Sequence, residues 1–148
     1  MPSQEDEVRQ ASERFYSALN RMANGDAGPL EAIWSQAPDV TTMHPIGRRE
    51  EGWEQVRESF RQVAMVASEG RIQLEGRLVR TGGDLAYELG TERGSLRVGG
   101  TAVTVDSRVT NIYRREGGAW RIVHHHADVS PSMVEALNQL LAKASATR

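Results

Sequence analysis

Histidines carry most of the chemistry open to this chain, which has four of them and no cysteine. His44 stands in the run Met43-His44-Pro45-Ile46-Gly47. The proline holds the backbone before it extended, and an imidazole can take or pass a proton near neutral pH. His44 is therefore the leading candidate for a general base. The competing reading is a histidine whose hydrogen bond fixes the turn. The other three histidines are consecutive, His124-His125-His126. Side chains alternate along a strand, so His124 and His126 share one face and His125 points to the other. Two histidines at i, i+2 make half a zinc site, and Asp128 falls on their face. A structural or interface role is preferred, and no bound metal is expected. A bulge near His124 would exchange the faces. Arg108 and Asp106 alternate with apolar neighbours. Arg108 could hold a carboxylate or a carbonyl oxygen, or could instead form a cross-strand ion pair. Tyr87, Leu89 and Thr91 share a face by alternation, and Tyr87 brings a hydroxyl. Phe15, Trp34 and Trp53 read first as core and second as walls that shape a ligand.

Several chemistries are excluded. Without cysteine there is no disulfide, thiolate nucleophile or cysteine-ligated metal. The glycine pairs do not sit between a strand and a helix as a dinucleotide loop requires, and no Walker, Gly-x-Ser-x-Gly or His-Glu-x-x-His motif is present. No cofactor is expected. The net charge is −2, with no basic cluster interleaved with aromatics, so no nucleic-acid partner is expected. No apolar run approaches membrane-spanning length, and the acidic start Pro2-Ser3-Gln4-Glu5-Asp6-Glu7 is unlike a signal peptide. The expected setting is the cytoplasm.

The elements that must position these residues follow from periodicity. The chain, 148 residues with 39% hydrophobic and 26% charged, fits one domain over 1–148 with a core over about 4–143. Val8, Ala11, Phe15, Leu19 and Met22 recur at helical spacing and predict a helix over 4–24. Gly28-Pro29 opens a short helix ending at Trp34. Residues 40–44 read as a short strand, and Trp53, Val56, Phe60, Val63 and Ala67 mark a helix over 50–68. The period then changes to two. Strands are predicted over 71–80, 84–97, 101–115 and 119–129, joined by glycine turns short enough for antiparallel hairpins. Ser130-Pro131 starts a last helix over 131–143, and the final few residues read as a tail. Helices first and a meander afterwards give an α+β domain, whose curved antiparallel sheet wraps the helices and leaves a cavity at its open end.

Three stretches resemble the SnoaL-like, nuclear-transport-factor-like superfamily. They are Arg14-Phe15-Tyr16-Ser17-Ala18-Leu19-Asn20 with Gly25-Asp26, Met43-His44-Pro45-Ile46-Gly47 with Gly52-Trp53, and the segment from Arg108 to Asp128 containing Ile112-Tyr113-Arg114-Arg115-Glu116-Gly117-Gly118-Ala119-Trp120. The resemblance spans nearly the whole chain. It implies a cone-shaped, cystatin-like α+β fold with an extra C-terminal helix. His44 is similar in position to the general-base aspartate of ketosteroid isomerases. The oxyanion-hole tyrosine and aspartic acid of those enzymes fall at Phe15 and Thr110, which cannot replace them. Tyr16, one position on, is expected to point elsewhere. The chain is also similar to the calcium/calmodulin-dependent kinase association domain, whose pocket arginines fall near Leu89, Thr110 and Ala127. Arg108 could supply one charge in their place.

The resemblance further implies that Val123, His125 and Ala127 face the pocket, as do Tyr87 and Leu89. Trp120 and Tyr113 would lie on the convex face with His124 and His126. Three functions follow as alternatives, one of them a purely structural oligomer with Trp120, Tyr113 and the convex face at its interface. Another is a cofactor-independent isomerase, cyclase or dehydratase with His44 as base and Arg108, Tyr87 or His125 polarising a carbonyl. The third is a non-catalytic module that binds a small molecule. A homodimer through the convex sheet face is compatible with all three.

Overall fold

The computed structural model describes residues 2–146. Helix α1, Gln4–Met22, begins at a capping box. Asp6 donates its backbone N–H to the Ser3 hydroxyl at 3.1 Å, and the Asp6 carboxylate accepts from the Ser3 N–H at 3.2 Å. A short 3-10 helix follows, Gly28–Ala32, with Pro29 in its first turn. Strands β1, Thr41–Met43, and β2, Arg49–Glu51, lead into helix α2, Trp53–Val66. The four long strands are β3, Ala67–Gly82, β4, Leu85–Val98, β5, Thr101–Glu116, and β6, Ala119–Ala127. Helix α3, Pro131–Ala146, closes the described chain. The Ser130 hydroxyl caps it by accepting from the Met133 N–H at 3.2 Å. The helix runs three residues past its expected end at 143, into the expected tail, and the rest of that tail lies outside the described residues.

All six strands join one sheet in the order β2-β1-β6-β5-β4-β3. The meander β3 to β6 is antiparallel, as its short glycine turns require. β1 adds to β6 in parallel, pairing Thr41 with His124, Thr42 with His125 and Met43 with His126. This pairing brings the His44 turn beside the three histidines, although 80 residues separate them in sequence. Bulges bend β3 near Glu69 and near Gly76, and one bends β6 near Val123. Helix α1 packs on the concave side against β3 and β6. The core there holds Phe15, Trp34, Val56, Phe60, Tyr113, Trp120 and Ile122.

Two expectations are corrected here. Residues 49–51 are a strand, not the first turn of a helix. Gly52 adopts φ 84°, which no helical residue takes, so α2 starts only at Trp53. Trp120 and Tyr113 are buried in the concave core and not displayed on the convex face. The extra residue at Val123 reverses the parity of β6 before it, so Trp120 and Ile122 face inward along with His125 and Ala127.

Candidate functional site

The open end of the sheet holds a cavity of about 80 Å³. Its apolar wall comes from α1 (Leu19, Met22), α2 (Phe60, Val63), the sheet (Ile72, Leu96, Val105) and the start of α3 (Met133). Among the described residues, three titratable groups line it: His44, Glu92 and His125. A groove of about 220 Å³ between α2 and α3 adjoins it and shares His44, Ile46, Val63 and Met133 as walls. The His44 turn is tied to the root of α3, because Ser130 donates its N–H to the Pro45 carbonyl at 2.7 Å.

His44 follows β1 and is half-buried, its ring edge-on to Phe60 with centroids 4.7 Å apart. Its Nε2 lies 2.8 Å from the Ser59 hydroxyl. Ser59 spends its one proton on the Val56 carbonyl at 2.7 Å, so His44 must donate to Ser59 from Nε2. The unprotonated Nδ1 has no hydrogen-bond partner among the described residues. Desolvation lowers the His44 pKa to about 4, so the ring is neutral at pH 7.

Glu92 is buried on β4 at 3% exposure. Burial first, and the neighbouring Glu88 charge second, raise its pKa to about 7 against the relief given by a hydrogen bond from Tyr16. The Tyr16 hydroxyl donates to Glu92 Oε2 at 2.9 Å. Burial and the Glu92 charge hold that phenol well above its ordinary value, so it stays protonated. Asn111 on β5 connects the rest. Its Nδ2 donates to Tyr16 at 3.1 Å and to Glu88 at 2.9 Å, and its Oδ1 faces His125 Nδ1. Tyr113 also donates to Glu88, at 2.9 Å. Arg77 reaches Glu88 with Nε 3.0 Å from Oε2, but the N–H is not aimed along that line. The pair is therefore held by charge more than by a hydrogen bond. Arg77 can turn inward because Gly76 beside it takes φ 67° at the second bulge of β3.

His125 is buried at 3% exposure, against the Phe15 ring with centroids 5.3 Å apart. Desolvation, with smaller contributions from the other histidines, lowers its pKa to about 3. Its Nε2 sits 3.7 Å from Glu92 Oε2, a gap too long for a hydrogen bond, and the neutral ring makes no ion pair across it.

His44 and His125 thus meet at one cavity, and the remaining expected site residues do not line it. Phe15 and Trp34 are fully buried core. Trp53 lines a separate cleft on the other side of α2. Ala127 is buried and Val123 is the half-buried bulge residue, both off the cavity. Arg108, Tyr87, Leu89 and Thr110 are corrected outright, since they lie on the convex face. Arg108 pairs there with Asp128 at 2.7 Å, and Tyr87 and Leu89 are 46% and 37% exposed. The inward residues of β4 are Ala86, Glu88, Glu92, Leu96 and Val98. Alternation had the right period and the resemblance chose the wrong parity, because the buried face carries two carboxylates and the exposed face carries Leu85, Tyr87 and Leu89. Tyr16, and not Phe15, meets the polar network, with Asn111, not Thr110, across from it. Among the described residues no cluster of three metal-ligating side chains occurs. His124 and His126 do share the convex face, where His124 Nδ1 meets the Thr41 hydroxyl at 2.7 Å. Among the described residues, no helix is long and apolar enough to cross a membrane.

Solved structures with this architecture are numerous. A protein from Thiobacillus denitrificans, assigned as a calcium/calmodulin-dependent protein kinase type II association domain, is 25% identical, covers 82% of this chain and 93% of its own, and superposes with a TM-score of 0.68. A Streptomyces avermitilis protein, assigned as a dehydratase of the NTF2-like family, is 24% identical over 84% of this chain and 95% of its own, with a TM-score of 0.72. A Parabacteroides distasonis protein, assigned as a ketosteroid isomerase, is 16% identical over 88% and 91%, with a TM-score of 0.62. No curated protein matches the chain. The SnoaL-like domain model matches residues 8–131. A helical layer in the concavity of a six-stranded sheet, a cavity at its open end and a family match over most of the length make one case: this chain belongs to the SnoaL-like domain family.

Proposed function

We propose that the cavity is the active site of a cofactor-independent enzyme of the isomerase or lyase type, acting by proton transfer on a compact, neutral carbonyl compound. The observation that carries the reading is Glu92, a buried carboxyl in an apolar cavity, hydrogen-bonded by Tyr16 and sharing the cavity wall with His44. A carboxyl with a pKa of about 7 is half protonated at neutrality, which suits a general acid. His44 is neutral there and can accept a proton. In the proposed step Glu92 gives its proton to the carbonyl oxygen while His44 Nδ1 takes a proton from the adjacent carbon. The products are a neutral enol, a Glu92 carboxylate and a His44 imidazolium. Return of a proton to a different carbon completes an isomerisation. The opposite charges created attract each other across a medium of low dielectric. No cation lines the cavity, so an anionic ligand would enter at the cost of its hydration.

The test is hydrogen–deuterium exchange at the α-carbons of cyclopentanone in D2O, followed by NMR. The protein should accelerate it, and both Glu92→Gln and His44→Ala should slow it at least a hundredfold. Equal rates in all three proteins would remove these roles. A second reading, a binding module similar to the association domain, is favoured by the lack of a further donor for a developing oxyanion. Binding without exchange would select it.

A homodimer through the convex face belongs to the same proposal. Leu78 pairs with Leu89 and Tyr87 with Ile112 across β3 to β5, and Leu78, Leu85, Tyr87 and Leu89 are exposed there. An apolar patch of this kind favours cover by a second copy.

A further inference from the structure

The amide of Asn111 has two N–H donors, and both are already committed, one to Tyr16 and one to Glu88. Its orientation is therefore not arbitrary: Oδ1 must be the atom that faces His125. A carbonyl-type oxygen can only accept, so the proton on His125 sits on Nδ1. A neutral imidazole holds one proton, which leaves Nε2 bare. That nitrogen is on the cavity side, beside Glu92, with no partner within hydrogen-bond distance among the described residues. Glu88, fixed by Tyr113 and by the Arg77 charge, keeps Asn111 from turning over. A flip would set the Asn111 oxygen against the Glu88 carboxylate.

We propose that Asn111 is a positioning residue that locks His125 in its Nδ1–H form, and that the resulting bare Nε2 makes the polar end of the cavity a receptor for a hydroxyl group. A hydroxyl can donate its one proton to His125 Nε2 and at the same moment accept from the protonated carboxyl of Glu92. A carbonyl oxygen has nothing to give His125 and would leave its lone pair unmet. The site therefore prefers an alcohol or an enol to the matching ketone. This rests on the reading given above and sharpens it: the group recognised is the enol that the proposed step forms, and the substrates are enolisable or hydroxyl-bearing compounds. The hydroxyl preference is a binding property, however, and holds whether or not any turnover occurs.

Two measurements on the protein test it. The first is long-range 15N–1H NMR of protein labelled at histidine, which reads the tautomer of each ring. His125 is expected as a single Nδ1–H tautomer at pH 7, and finding the proton on Nε2 would overturn the proposal. The second is titration with cyclopentanol and cyclopentanone. The alcohol should bind about fivefold tighter, as one neutral hydrogen bond allows, and should move the His125 Nε2 signal. Equal affinity, a preference for the ketone, or no movement with either would overturn it. In Asn111→Leu the tautomer should become mixed and the alcohol preference should vanish. A retained pure Nδ1–H tautomer would remove Asn111 from the account. If that variant does not fold, the tautomer and the two titrations of the unaltered protein decide alone. Loss of deuterium exchange with the tautomer and the alcohol preference intact would refute the enzyme reading and leave this one standing.

Discussion

Replacing Glu92 by glutamine keeps the shape and the hydrogen bond from Tyr16 but removes a titrating group from the cavity wall. The folded carboxyl titrates at about 7 against an ordinary value of 4.5. Between those two values the folded protein holds a proton that the unfolded chain has released. Stability contributed by that proton is complete below pH 4.5 and is lost as the pH rises through 7. The difference amounts to about 3 kcal/mol, and at 3% exposure solvent does little to screen it. His44 and His125 act in the opposite sense. Their folded values of about 4 and about 3 lie below the ordinary 6.5, so they withdraw stability as the pH falls below 6.5. Both histidines are present in the two proteins and cancel in the comparison. Urea unfolding at pH 5, 6, 7 and 8 should therefore show Glu92→Gln gaining on the parent protein with rising pH, by about 2.5 kcal/mol between pH 5 and pH 8. A difference that stays flat from pH 5 to 8, or that slopes the other way, would refute the assignment of Glu92 as a desolvated acid.

Further outcomes follow from the same geometry. Tyr16→Phe removes the hydrogen bond that favours the Glu92 carboxylate. It should cost about 1–2 kcal/mol in urea unfolding and should move the alkaline fall in exchange activity to higher pH. Arg77→Met leaves Glu88 buried and without its counter-charge. A loss of about 3 kcal/mol is expected, and Glu88→Gln in the same chain should restore part of it. Leu89→Arg places a charge in the centre of the convex apolar patch. Sedimentation should show the dimer dissociating while cavity exchange per chain is unchanged, and an unaltered sedimentation coefficient would count against that interface.

The order of elements was legible because each rests on local signals. The 3.6-residue recurrence from Val8 to Met22, the Ser130-Pro131 start and the three glycine turns all gave elements close to those found. The fold class and family followed from their order. The resemblance brought His44 and His125 to the cavity wall, while alternation set only His125 apart from His124 and His126. The polar network was not legible. Glu88 and Glu92 look like solvated charges in a sequence, and Leu85, Tyr87 and Leu89 on the opposite face look like the core. Only three-dimensional partners on α1 and β5 (Tyr16, Asn111 and Tyr113) make burying the carboxylates tolerable. A signal was nevertheless present, since Gly90 and Gly94 share the parity of Glu88 and Glu92. At Gly94 an added Cβ would sit 1.8 Å from the Arg71 carbonyl oxygen, so only glycine allows the paired strand β3 to approach there. Trp120 was misplaced for a different reason. A single inserted residue at Val123 reverses every side chain before it, and nothing local announces a bulge.

The pH dependence of α-carbon deuterium exchange, measured as kcat/KM with the parent protein and Glu92→Gln side by side, tests the proton-transfer account most directly. The reaction as proposed needs His44 unprotonated and Glu92 protonated, so activity should hold between about pH 4 and about pH 7 and fall tenfold per pH unit above that. Glu92→Gln should show no such fall and a rate at least a hundredfold lower throughout. A rate that climbs through pH 7 and beyond, or a glutamine variant as fast as the parent, would contradict the claim that Glu92 delivers the proton.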